Sequence, residues 1–284
     1  MKPIRLLIIN TASLVFALVL NGLAGSGFFN GKTVADISAR YDTLITPAGY
    51  AFAIWGIIYL LLLLFVGYQW YAWLIKRDDT ALKQTGLWFT AGNIANGLWI
   101  VVWLNEYLAL SVLLIFILLF SLIMLTLRLR LEIWDAPVRT IAFVWWPICI
   151  YLGWIVVAAV ANVSVYLVSV NWQGGFLSPL IWTVFMITIA MVIYLLLVFI
   201  RNMREAALVG VWAFIAIAAR QWSVHPAIVV AALVAAGVLL MVIAWHGYRN
   251  RATSPLEKLR QNGAIKFIGN NRTNDETKKN PPRG

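Results

Sequence analysis

Three stripes of aromatic and amide side chains are the residues of this chain best suited to recognise another molecule. Phe52, Trp55 and Tyr59 form the first, Asn96, Trp99 and Trp103 the second, and Tyr151, Trp154, Ala158 and Asn162 the third. Separations of three and four residues put each set on one face of a helix. Indole and phenol rings supply flat apolar walls, and a primary amide supplies both donors and an acceptor. A face that carries Asn beside Trp is poorly suited to lipid, where the amide would lack a partner. Apolar walls with a few polar handles are the usual make-up of a small-molecule site. Helix packing alone also produces aromatic stripes, and that is the competing reading.

The stripes lack ionisable groups. No Asp, Glu, Lys or Arg falls inside any of the eight apolar spans given below. Charges in a bilayer centre mark ion paths and proton relays, so pumps, ion-coupled transporters and intramembrane hydrolases are disfavoured. His225 and His246 fall on opposite sides of the membrane and cannot share a metal. Cys149 is the single cysteine, which excludes an intramolecular disulfide and a cysteine metal cluster. No catalytic residue, metal site or cofactor is expected, and an enzyme is the least supported class.

The elements that position the stripes follow from composition. The chain of 284 residues is 62% hydrophobic and 12% charged, a balance no water-soluble fold could carry on its surface. It reads as an all-α integral membrane protein with eight transmembrane helices, over residues 6–29, 48–74, 86–104, 107–127, 140–163, 179–200, 206–219 and 226–245. The seventh is short and ends at Arg220. The net charge of +11 is distributed by side of the membrane and not gathered on one face, which argues against nucleic acid as a partner. Basic residues before span one, between spans two and three, four and five, and six and seven, and after span eight place both termini in the cytoplasm of a cell-membrane protein. All three stripes then lie in the outer half of the membrane. Trp70, Trp73, Trp88, Trp134, Trp172, Trp222 and Trp245 suit the aromatic belts at the two interfaces.

The basic start and first apolar run could suggest a signal peptide, but the run is long for an h-region and is expected to remain as a span. Residues 30–47 form the longest connection between spans and are the segment most suited to function. The Asn105-Glu106 link is so short that spans three and four must form a hairpin. Residues 249–284 are basic and polar, and are expected to be a disordered cytoplasmic tail in contact with solvent or anionic lipid.

Several of these residues carry a family resemblance. The run from Thr46 through Pro47, Gly49, Tyr50, Phe52 and Trp55 to Tyr59 resembles the second-helix signature of the TspO/MBR family, the tryptophan-rich sensory or translocator proteins. Asn96-Gly-Leu-Trp99 is similar to its third-helix Asn-x-x-Trp, and Tyr151-Leu-Gly-Trp154 with Ala158 and Asn162 is similar to its fifth-helix pattern. The resemblance covers roughly residues 1–172. Phe52 and Trp55 are three apart where the family has four, and the proline that usually precedes the tyrosine directly stands at Pro147. The resemblance implies a five-helix core over residues 1–172, with residues 173–248 as three additional helices. It also implies a pocket capped by the first loop, binding a hydrophobic, flat molecule such as a tetrapyrrole (porphyrin) or a sterol-like compound, for sensing or transport. Uncoupled small-molecule or lipid transport and porphyrin degradation are the alternatives. No motif lies in residues 173–248, so the pocket is expected to be complete without them. Oligomeric state is left open, a homodimer included.

Overall fold

A computed structural model describes residues 1–41, 43–172, 174–175 and 177–251; the expected tail beyond residue 251 lies outside the described residues. Among these the chain is helical and has no strand. The helices are α1 (Pro3–Gly25), α2 (Val34–Arg40), α3 (Ile54–Leu74), α4 (Thr80–Thr85), α5 (Trp88–Leu104), α6 (Leu108–Arg128), α7 (Val138–Thr140), α8 (Trp146–Ser169), α9 (Pro179–Arg201), α10 (Arg204–Gln221) and α11 (Pro226–Arg249). Prolines open α1, α9 and α11, where the missing N–H has no helical partner to lose. Six helical segments are long and apolar enough to cross a membrane: Pro3–Gly25, Gly49–Leu74, Leu108–Arg128, Val138–Ser169, Pro179–Arg201 and Pro226–Arg249. The other two long helices, α5 and α10, have 17 and 18 residues. Both bury much of their surface against neighbours.

α8 is the centre of the bundle, packed against α3, α6 and α10. Its 24 residues include 13 that are buried, among them Trp154 at 1% exposure. α10 can lie close because Gly153 is bare: a Cβ there would sit 2.7 Å from the Ala206 carbonyl oxygen. Tyr194 of α9 locks the same joint, donating its hydroxyl to the Gly153 carbonyl at 2.7 Å. α1 and α5 are held by polar rungs, Thr90 to Asn10, Asn93 to Ser13 and Asn21 to Asn96. Each rung satisfies groups that lipid could not.

Two departures from α geometry matter locally. Gly49–Ala53 is a 3-10 turn leading into α3. Phe52 lies in this turn and Trp55 in the first turn of α3, and across that junction both rings meet Trp154. Between α7 and α8 the helix widens into a π turn over Ile141–Trp145. Pro147 follows directly, cannot bond to the Phe143 carbonyl, and crowds it, which accounts for the wider turn.

The predicted spans shift at their ends. The first runs from Pro3 to Gly25, about one turn of chain having moved into the connection, and the fifth extends on both sides, to Val138 and Ser169. The seventh begins at Arg204 and ends at Gln221, so Glu205 enters its first turn and Arg220 its last. The 30–47 connection contains α2, opened by a capping box between Thr33 and Asp36.

Candidate ligand pocket

Trp55 is the hub of the aromatic cluster. Its ring stacks on Tyr59 at 5.4 Å between centroids, tilts against Trp99 at 6.3 Å, and meets the edges of Tyr151 and Trp154 at 6.0 and 6.3 Å. Phe52 meets Trp154 edge-on at 6.0 Å, and Trp99 stacks on Trp103 at 5.4 Å. Helices α3, α5 and α8 thus merge the three stripes into one continuous aromatic body. Contacts of this kind add roughly 0.5–1.5 kcal/mol each beyond area burial.

The polar atoms divide into spent and unspent. Asn162 is spent: its Oδ1 accepts from Trp99 Nε1 at 2.7 Å, and its Nδ2 donates to Ser111 Oγ at 2.8 Å. It ties α5, α6 and α8 together. Asn96 Oδ1 accepts from Asn21 at 2.9 Å. Within the aromatic cluster three donors are buried with no hydrogen-bond partner among the described residues, Tyr59 Oη, Asn96 Nδ2 and Trp154 Nε1; Asn10 Nδ2, Arg201 NH1 and Arg204 Nε are in the same condition elsewhere. The Tyr59 hydroxyl and the Asn96 amide are neighbours, but they fall short of an aligned hydrogen bond.

A lid closes one end of the cluster. Val34 and Ser38 of α2, then Thr46 and Pro47, line a cavity of about 30 Å³ with Phe52, Trp55, Trp99, Trp103, Trp154, Ala158 and Asn162. Thr43 and Thr46 hydrogen-bond to each other through their hydroxyls, and Trp103 Nε1 reaches the Val34 carbonyl at 3.4 Å. Glu106, in the α5–α6 turn, is the latch. It accepts from Lys32 Nζ at 2.7 Å, Arg40 NH1 at 2.6 Å and the Tyr41 hydroxyl at 2.9 Å. The Lys32 hydrogen bond, helped by Tyr41 and by the Arg40 charge, holds its carboxyl below the usual carboxylate range despite partial burial. α10 holds the far end of the same segment, the Ala216 carbonyl accepting from Ala48 N at 3.0 Å, while Trp212 donates to the Ala51 carbonyl and Gln221 to that of Leu44. The region after residue 172 thus braces the segment that carries the lid, while the residues that line the cavity all fall within 34–165.

Of the ten residues singled out by spacing, seven line the cavity; Tyr59, Asn96 and Tyr151 instead pack within or beside the aromatic body. Asn21 and Glu106 are the functional partners that spacing missed. Asn21 carries no stripe partner on α1, and only the fold reveals its neighbour Asn96. Glu106 was legible as the single acid in a two-residue link, but its three partners lie 65 to 74 residues away in the sequence.

An all-helical chain with several membrane-length apolar helices, built around an aromatic cavity beneath a latched lid, falls in the class of multi-pass membrane proteins. More narrowly, it belongs to the TSPO-like protein family, whose family model matches residues 7–245. That match runs through α9 and α10 and into α11. No curated protein and no solved structure matches the chain.

Proposed function

We propose that the protein binds a flat hydrophobic small molecule in the aromatic pocket, from the outer side of a cell membrane crossed eight times, for sensing or transport. One observation carries this reading: three donors, Tyr59 Oη, Asn96 Nδ2 and Trp154 Nε1, are buried in and around an aromatic body and have no acceptor among the described residues. Leaving a buried donor unpaired costs about 1–3 kcal/mol, and a ligand acceptor would recover it. Trp Nε1 can only donate, so the ligand must present acceptors. A tetrapyrrole bearing carboxylates meets that need better than a sterol with a single hydroxyl. The family membership and the basic residues at the Leu74 and Arg128 helix ends support the membrane setting and the orientation.

The cavity of about 30 Å³ holds roughly a water or two, so the ligand enters by parting the lid and the Trp55 ring. Ala158 and Ala161 on α8 supply the small side chains against which a ring can settle. The test is titration of a carboxylated porphyrin into the purified full-length protein, read by quenching of tryptophan fluorescence. Saturable quenching that weakens in Ala158→Leu and survives in Trp245→Phe, at the far interface, is expected. Absence of saturable quenching, or equal affinity in Ala158→Leu, overturns the proposal. Flux of the same porphyrin into vesicles distinguishes transport from sensing.

A further inference from the structure

A second recess opens at the opposite end of the bundle, where the α3–α4 connection meets the chain that follows α6. It encloses about 310 Å³, at the lower end of small-molecule pockets. Its mouth carries one acid and one base, Asp78 and Arg130, both exposed. Its walls are Tyr68, Trp134 and Trp145, the last two meeting edge-on at 5.5 Å. Trp145 belongs to the π turn, a local widening that recurs at functional sites.

The bottom of the recess is Gln69, 1% exposed on α3. Gln69 Nε2 donates to Thr85 Oγ1 at 3.0 Å, and that hydroxyl donates its single proton to the Ala81 carbonyl at 2.8 Å. The Thr85 oxygen can therefore only accept from Gln69, which fixes the amide with its nitrogen toward α4. The Oε1 atom is left buried with no partner. This is the reverse of the aromatic pocket, where the unspent atoms are donors.

We propose that this recess is a second binding site, for a small, flat, neutral molecule that donates an N–H or O–H hydrogen bond to Gln69 Oε1 while its ring lies among Tyr68, Trp134 and Trp145. Flatness follows from the aromatic walls, and neutrality from a mouth with one charge of each sign. The donor requirement follows from the fixed amide. The site is independent of the porphyrin pocket and separated from it by the buried pair Phe65 and Phe89, whose rings are 5.0 Å apart.

Indole and 1-methylindole are the probes, since they share a shape and differ in the N–H. Binding to the full-length protein in detergent is measured by equilibrium dialysis. Indole is expected to bind saturably and about tenfold more tightly than its methylated form, the fold-change of a hydrogen bond to an otherwise unpaired buried acceptor. Gln69→Leu should bring the two affinities together, and excess porphyrin should leave indole bound. Equal affinity of the wild type for both probes, or no saturable binding, shows a water-filled recess and overturns the proposal without any variant. Persistent discrimination in Gln69→Leu, or displacement of indole by porphyrin, overturns it as well.

Discussion

Tyr59→Phe should move stability and affinity in opposite directions. The substitution keeps the ring that stacks on Trp55 at 5.4 Å and deletes a buried hydroxyl with no partner. In the empty protein the hydroxyl contributes only its desolvation penalty, about 1–3 kcal/mol for an unpaired buried group. Its removal should stabilise the ligand-free protein by about 1 kcal/mol at the lower end of that range. For a chain of this length such a gain raises Tm by roughly 2–4 °C. With ligand bound, the same hydroxyl gives a hydrogen bond worth about 1 kcal/mol; its loss adds to the stabilisation of the empty form, about 2 kcal/mol together, so porphyrin Kd should rise roughly thirtyfold. Thermal unfolding in detergent, followed by tryptophan fluorescence with and without porphyrin, reads both effects. A Tm lowered by several degrees with unchanged affinity would show that the hydroxyl serves the fold through Asn96, and the argument from unspent donors would lose one of its three members.

Glu106→Gln removes the charge on which Lys32, Arg40 and Tyr41 converge, so the lid should open more often and stopped-flow porphyrin association should accelerate, with little change in Tm. The Glu106 carboxyl is held below its ordinary range in the folded state, so its contribution is complete above the unfolded value and is lost as pH falls through the folded one. Association in the wild type should therefore be flat near neutrality and quicken only below the usual carboxylate range; a change centred near pH 7 contradicts the latch. Gly153→Ala drives a methyl group to within 2.7 Å of the Ala206 carbonyl oxygen and 2.9 Å of its Cα, and should cost about 1–3 kcal/mol, seen as a lowered Tm with or without ligand. A chain ending at Gly174 loses the α10 hydrogen bonds to Leu44, Ala48 and Ala51 and should lose porphyrin binding even where circular dichroism shows its helices intact.

The membrane-length helices were legible because a bilayer imposes a length and an apolarity that composition displays directly, and the aromatic stripes because helical spacing is local. Phe52 and Trp55 show where local reading ends. Their three-residue spacing departs from the family's four, yet across the junction of the 3-10 turn with α3 both rings meet Trp154. Asn162 shows a different limit. Residue type and depth suit it to a ligand, but only three-dimensional placement reveals that Trp99 and Ser111 occupy both ends of its amide. The grip of α10 on the segment that carries the lid spans 161 to 177 residues of sequence and leaves no periodic trace.

The division between spent and unspent polar atoms also bears on how the pocket works. Of the three donors unpaired among the described residues, Trp154 lines the cavity of about 30 Å³, and Tyr59 and Asn96 lie in the packed aromatic body beside it, so on the proposed reading a ligand would have to part those rings to reach them. Collapse gains ring contacts, and it forfeits hydrogen bonds worth about 1 kcal/mol each. If the proposed pocket opens, the balance between closed and open forms would be about a few kcal/mol, within what a ligand with acceptors could reverse. A ligand that offered only apolar surface would have to open the lid without pairing the donors. Selectivity for acceptor-bearing molecules therefore follows from the closed state itself, because only they repay what closure leaves unpaired.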